Sequence, residues 1–186
     1  MLTPIKTANA SEFEEFVMLP ENAERVFELI NGEIIEKMPS NAFASEIAML
    51  IAFFIRLFLR EHSIEGHVTG EAGGFKVAGD SLAPDVAYIS SARQAELNRQ
   101  GYNNQPPELA VEVETNTTGE TERRLRAKVL SYLAAGTLLW VVYPETKEVE
   151  VYTPGQMMRK LMLEDSLDGG EVLPGFTLAL KEIFKH

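Results

Sequence analysis

The chain has 186 residues, 45% hydrophobic and 24% charged, proportions that permit a sizeable core and exclude a disordered chain. It has no cysteine, which excludes a disulfide framework, a thiolate zinc site and a cysteine nucleophile, and which suits the cytoplasm. The net charge of −11 denies it the global basic footprint of a nucleic-acid binder, so any such binding needs a local basic cleft or metal ions that offset the charge.

The first residues, MLTPIKTANASEFEEF, lack a basic stretch followed by an apolar one, so no secretory leader is expected. Ser11 and Glu14 have capping-box spacing, which predicts a short helix over Glu12–Met18. Val26–Ile30 and Glu33–Met38 flank Asn31-Gly32, the strongest short hairpin signal. Asn41–Glu61 reads as a long helix with few polar residues, expected to be largely buried. Its most apolar run, Ile47–Leu59, is shorter than the ~20 residues that span a bilayer and contains Arg56, so it reads as a core helix, with no membrane partner.

Short strands follow at Gly66–Thr69, Gly73–Val77 and Pro84–Ile89, with a turn at Gly79-Asp80. The Gly70–Gly74 stretch is a turn or bulge, since no helix follows it as a phosphate loop requires. Arg93–Asn104 is a polar loop with a helical turn. Pro106-Pro107 opens a compact strand, Leu109–Val113. Glu120–Ala135 is a helix stopped by Gly136. Leu138–Tyr143 and Glu148–Tyr152 pair across the turn Pro144–Lys147. The tail holds Arg159–Leu163, a Gly169-Gly170 turn and a last helical piece, Leu180–Phe184. The β-α-β stretch at 109–143 should pair in parallel, giving an α/β fold with a central mixed sheet flanked by helices. One domain over 1–186 is expected.

His62, His67 and His186 do not form a zinc set, which needs three or four convergent ligands. Carboxylates are more informative. Asp85 lies in LAPDVAYIS and Glu112 in ELAVEVE, both inside apolar strands, where burial is costly unless the group is paired, neutralised or bound to metal. Alternation puts Leu109, Val111 and Val113 on one face and Ala110, Glu112 and Glu114 on the other. An open second face would make these acids unremarkable, but parallel strands are usually covered on both faces. Lys128 lies with the apolar stripe Leu125, Val129, Tyr132 and Leu133, as a snorkelling lysine or as a positive charge aimed at Asp85 and Glu112. Two acids suit a hard cation such as Mg²⁺, and a lysine would stabilise charge developing in a transition state.

Several segments in order resemble the Uma-type family of restriction-endonuclease-like proteins, a branch of the PD-(D/E)xK nuclease superfamily. They are FELINGEIIEKMPS, SEIAMLIAFFIRLFL, GGFKVAGDSLAPDVAYIS, PPELAVEVETNT, AKVLSYLAAGTLLWVVYPETKEVEVYTPG and EVLPGF. The resemblance implies a restriction-endonuclease-like core with an N-terminal hairpin and a C-terminal β extension. It implies a divalent-metal site with Mg²⁺ or Mn²⁺ on Asp85 and Glu112, and Lys128 as the family's helix-borne lysine. Glu114 stands where the superfamily usually has its lysine, and Glu33 matches a further family position. Both are secondary metal-ligand candidates. The family tends to continue the Glu112 strand with Ser-Pro. Here the residues are Thr115-Asn116, and the loop to the helix is about two residues longer, a spacing that would let Glu114 slide into the role of Glu112.

The resemblance implies a metal-dependent DNA endonuclease. An acidic chain would then rely on a local basic strip, for which Arg123, Arg124 and Arg126 are candidates, the alternative being that they form a solvated helix face. Because cutting both strands of a duplex often uses two sites related by a twofold axis, a homodimer fits this reading. The alternative, motivated by the charge of −11 and by Glu114, is a catalytically degenerate nuclease fold serving as a protein-interaction module. Metal-free hydrolysis of a sugar or ester by a carboxylate pair has less support, because Trp140 lies inside the apolar run LLWVVY and reads as core rather than as a sugar platform.

Overall fold

Period-two alternation in the middle of the chain and a single crossover helix build a central six-stranded sheet. The computed structural model describes residues 5–39, 41–115 and 118–184. His186 and Asn116 lie outside the described residues.

Strand β1 (Lys6–Thr7) leads into helix α1 (Ala10–Val17). Asn9 caps α1 and forms the capping box with Glu12, in place of the Ser11–Glu14 box expected from the sequence. Asn9 and Glu12 have the same spacing, and an earlier Asn cap adds further residues to the helix. Strands β2 (Phe27–Ile30) and β3 (Glu33–Glu36) form the expected hairpin, with positive φ at both Asn31 and Gly32, the geometry of a type I′ turn.

Helix α2 (Ala42–Glu61) buries Ile47, Ile51, Ile55 and Leu59 against the central sheet. It is less enclosed than its composition suggests: Met49 is 65% and Phe53 56% exposed. By length and apolarity α2 matches a membrane span, but its packed stripe is that of a core helix. Strand β4 (Gly66–Gly70) precedes a second hairpin, β5 (Phe75–Val77) and β6 (Asp80–Leu82). The β5–β6 turn is made by Ala78 and Gly79, both at positive φ, so Asp80 belongs to a strand and not to the turn expected at Gly79-Asp80.

Strand β7 (Val86–Ser90) and strand β8 (Leu109–Val113) pair antiparallel, and α3 (Gly119–Ala134) crosses from β8 to β9 (Leu138–Tyr143), which pairs parallel to β8. Strands β10 (Glu148–Tyr152) and β11 (Arg159–Leu161) complete the sheet, in the order β11-β10-β9-β8-β7-β4. A second sheet, β1-β3-β2-β6-β5, leans on its α3 side. The C-terminal pair β12 (Ser166–Asp168) and β13 (Thr177–Ala179), followed by α4 (Leu180–Ile183), closes the α2 side.

The alternation read from the sequence holds. Leu109 and Val111 join the α2 core with Trp140, which stacks on Phe176, while Ala110 faces α3 with Leu139 and Val141. Both faces of β8 are therefore covered, and Glu112 is buried on the α3 side. The hairpin is tied there by Asp80, which accepts from the Asn31 N–H at 2.9 Å and from the Ser131 hydroxyl of α3 at 2.6 Å. Asp80→Ala should lower unfolding free energy by about 2 kcal/mol in urea titrations, because the Asn31 N–H loses its acceptor and the buried Ser131 hydroxyl is left with only the long bond to the Ala127 carbonyl.

Candidate functional site

Glu28 and Glu112 stand on strands, Asp85 and Glu114 flank strands, and Lys128 comes from the helix that crosses over them. Glu112 points from β8 toward α3, with its side chain 3% exposed. Lys128 and Tyr132 stand one helical turn apart on α3 and grip both its oxygens. Lys128 Nζ lies 2.7 Å from Oε2, and the Tyr132 hydroxyl donates to Oε1 at 2.9 Å. Lys128 also reaches Oε1 of Glu28 on β2 at 3.0 Å. The Glu28 carboxylate in turn accepts the Ala83 N–H at 2.9 Å.

Asp85 sits one residue before β7, at a bend, rather than inside the strand as the sequence suggested. Its N–H donates to the Val111 carbonyl at 3.0 Å, and its Oδ2 accepts the Val113 N–H at 2.7 Å. These bonds bracket residue 112 and bring the Asp85 carboxylate beside that of Glu112. Lys37, which follows β3, donates to Asp85 Oδ1 at 2.8 Å and to the Ala83 carbonyl at 2.6 Å. The first hairpin thus holds Ala83 by both its backbone groups, Glu28 taking the N–H and Lys37 the carbonyl.

Asp85, Glu112, Glu114, Glu28, Lys37 and Lys128 line one cleft of about 180 Å³. At its margin Glu36 is matched by Arg25 and Arg124 by Glu120. When all four carboxylates are ionised they outnumber the two ammonium groups by two negative charges in a largely buried space. Burial, reinforced by Glu28 and Asp85 and opposed by Lys128, pushes the Glu112 carboxyl up to about 7. Burial also raises the Glu114 carboxyl. Lys128 is held protonated well above its ordinary value: burial works against the charge, but Glu112 and Glu28 outweigh it. It is a fixed positive charge and not a proton acceptor.

The structure therefore brings together Asp85, Glu112 and Lys128, with Glu114 at the margin. Glu33 is not brought there: its carboxylate faces Arg123 at 3.5 Å, and the hairpin offers Glu28 instead. Glu28 carried the same signal as Glu112, an acid inside the apolar strand FELI. Lys37 carried none, since a lysine at a strand end ordinarily reads as a solvated charge. The expected basic strip is dissolved. Arg124 is buried and pairs with Glu120, and Arg126 pairs with Glu122, both at 2.5 Å, because each arginine has a glutamate one turn earlier. His62 and His67 each bond a backbone carbonyl. Among the described residues no three carboxylate or imidazole groups converge on one point. Mg²⁺ does not require three, since one or two carboxylates with water and phosphate oxygens complete its shell. In donor chemistry and charge the cleft fits such an ion.

The central mixed sheet with its flanking helices is a fold of the restriction-endonuclease-like class. The chain belongs to the Uma2 family, described as "Putative restriction endonuclease", whose profile matches residues 13–181. Its fold is similar to that of a crystal structure described as a "putative nuclease" from Anabaena variabilis. The two are 21% identical, with a TM-score of 0.74 over 92% of this chain and 96% of that one. Among curated proteins none matches.

Two outcomes follow from the buried charges. Lys128→Met should cost about 3–5 kcal/mol of stability in urea unfolding, because two buried acids lose their shared cation. Glu112 has a raised folded pKa, so between its ordinary 4.5 and about 7 the folded state holds the extra proton. Stability should therefore fall as pH rises through that window. With EDTA present, the wild type should lose on the order of 2 kcal/mol more than Glu112→Gln between pH 5 and pH 8. The Lys128 contribution stays intact throughout, since it is lost only above the ordinary lysine value of 10.5.

Proposed function

We propose that the chain is a divalent-metal-dependent endonuclease that hydrolyses phosphodiester bonds of DNA, with Asp85 and Glu112 as the ligands of a Mg²⁺ or Mn²⁺ ion. The observation that carries this reading is the surplus of two negative charges in the cleft, a match for one divalent cation. Family membership supports a nucleic acid as substrate.

A bound divalent cation supplies Lewis acidity to the phosphodiester and acidifies a water molecule. The chain's own residues do the rest. Asp85 is oriented by Lys37 and the Val113 N–H, and Glu112 by Tyr132, so both acids are fixed before substrate arrives. Lys128 holds a permanent charge where negative charge grows on the phosphate oxygens, and Glu28 keeps its ammonium from swinging away. Glu114 lies at the margin, as a secondary ligand. Because the nearby arginines are committed to glutamates, the cation and Lys128 must supply most of the attraction for the phosphate. Affinity for DNA should then depend only weakly on salt, with a log–log slope corresponding to very few released counterions.

The test is cleavage of supercoiled and linear DNA with Mg²⁺ or Mn²⁺. Cutting should vanish in EDTA and in Asp85→Asn, a variant that keeps the side chain's size and an acceptor for one of its two donors, Lys37 or the Val113 N–H, with its folding checked by circular dichroism. Mg²⁺ should also raise the melting temperature. At a hundredfold excess over its dissociation constant it adds about 2.7 kcal/mol. Well-folded wild type that neither cuts nor shifts with metal would favour the other reading, an interaction module on a nuclease fold. The clamping of both acids by lysines and the presence of Glu114 in place of a lysine lend that reading its support.

A further inference from the structure

A second cavity of about 260 Å³ adjoins the cleft, sharing Glu114, Thr121 and Leu125 with it. Its apolar part comes from Leu125 and Val129 of α3 and from Met158. Two aromatic side chains complete it, Tyr143 at the end of β9 and Tyr152 at the end of β10. Both hydroxyls donate to the same atom, Oε2 of Glu150, at 3.2 and 2.8 Å. Glu150 is thus locked by two donors, and its Oε1 receives no hydrogen bond among the described residues. Tyr143 and Tyr152 pack their rings against the α3-side core, and with Glu150 they stay half-buried on the face of β9 and β10, so their polar groups remain open to the cavity.

We propose that this cavity receives one unstacked nucleobase bearing an exocyclic amino group, from the strand whose phosphodiester lies at Asp85 and Glu112. The proposal rests on the nuclease reading of that cleft. Its volume suits a single base ring and no longer stack. Tyrosine faces and aliphatic walls are what a base's π-face seeks, and such stacking tolerates any base. Selection comes from the edge. A carboxylate only accepts, so Glu150 matches the amino groups of cytosine, adenine or guanine, whereas thymine offers it only a ring N–H set between two carbonyls that repel it. Arg126 also lines the cavity but is paired with Glu122, so Glu114 and Glu150 leave it acidic and unfavourable to phosphate, which keeps the backbone outside, in the adjoining cleft, while the base turns inward. That arrangement places the sequence preference of cutting beside the scissile bond, next to a helix whose Arg123, Arg124 and Arg126 are already paired. An aromatic and acidic cavity also suits an organic cation, and the experiment separates the two.

The full chain is titrated by fluorescence anisotropy into labelled single-stranded oligonucleotides of dA, dC or dT with Ca²⁺ present, and cleavage of mixed-sequence DNA with Mg²⁺ is mapped in parallel. The dA and dC strands should bind roughly tenfold tighter than dT. Tyr152→Leu should weaken the dA and dC strands roughly tenfold, whereas Tyr152→Phe, which keeps the ring, should not. Glu150→Gln should reduce the preference over dT, since an amide both donates and accepts. Equal binding of the three strands by a wild type that cuts DNA would overturn the base pocket while leaving the nuclease standing. Binding and cutting both absent would sink the nuclease reading itself, and the pocket with it. Tetramethylammonium that stabilises the wild type and not Tyr152→Leu, with no base preference, would make the cavity a cation site instead.

Discussion

The protein is organised around one buried cation. Lys128 is carried on the crossover helix into a space 8% exposed, where Glu112 of the central sheet and Glu28 of the hairpin sheet converge on it. An ammonium that has lost its water must keep its partners, so the helix, β8 and β2 can pack only in the register that delivers all three. Apolar residues of similar volume would pack about as stably, so stability alone gives no reason for charge at this position. What the charges add is a defined geometry, and here it coincides with a cleft that gathers an excess of acids.

The hairpin sheet is the second constraint. It does not merely cover the face of β8; it reaches over it and holds the segment before Asp85. Glu28 takes the Ala83 N–H, Lys37 takes the Ala83 carbonyl and then Asp85 itself. The bend at Asp85 is therefore fixed from outside the strand, and the position of one acid depends on an element more than forty residues earlier in the chain. This explains why the Asn31-Gly32 turn and its Asp80 anchor matter to the site although neither lines it.

The surface around the cleft is acidic, and its arginines are spent on neighbouring glutamates. A polyanion approaching such a face meets no basic groove. On the proposed nuclease reading, attraction is local, from Lys128 and a bound cation, and selectivity comes from groups other than arginine. The tyrosine and glutamate cavity beside the cleft has the chemistry for that, since stacking and a fixed acceptor recognise a base without attracting its phosphate.

Much of this was legible in the amino-acid order, for physical reasons that can be named. Asn-Gly between apolar runs dictates a type I′ hairpin. Leu109–Val113, Gly136 and the run LLWVVY mark a parallel β-α-β unit, because each signal is local and strong. Acids at 85 and 112 stand out because apolar strands rarely carry them without cause, and the family resemblance followed from the same residues. The short strands β1, β6, β12 and β13 left no such mark, since two or three residues show no period. The half-exposed face of α2 was hidden because apolarity does not say which side finds a partner. Glu28 and Lys37 became site residues, and Glu33 did not, only when the two sheets met: which side of a hairpin faces a neighbour is decided by long-range packing. Likewise the arginines of α3 could be called a strip until each found its glutamate. The sequence by itself determined the elements and the chemistry available to them. Tertiary structure decided which charges are buried together, because the cost of dehydrating a charge depends on every group packed around it, and those groups come from distant parts of the chain.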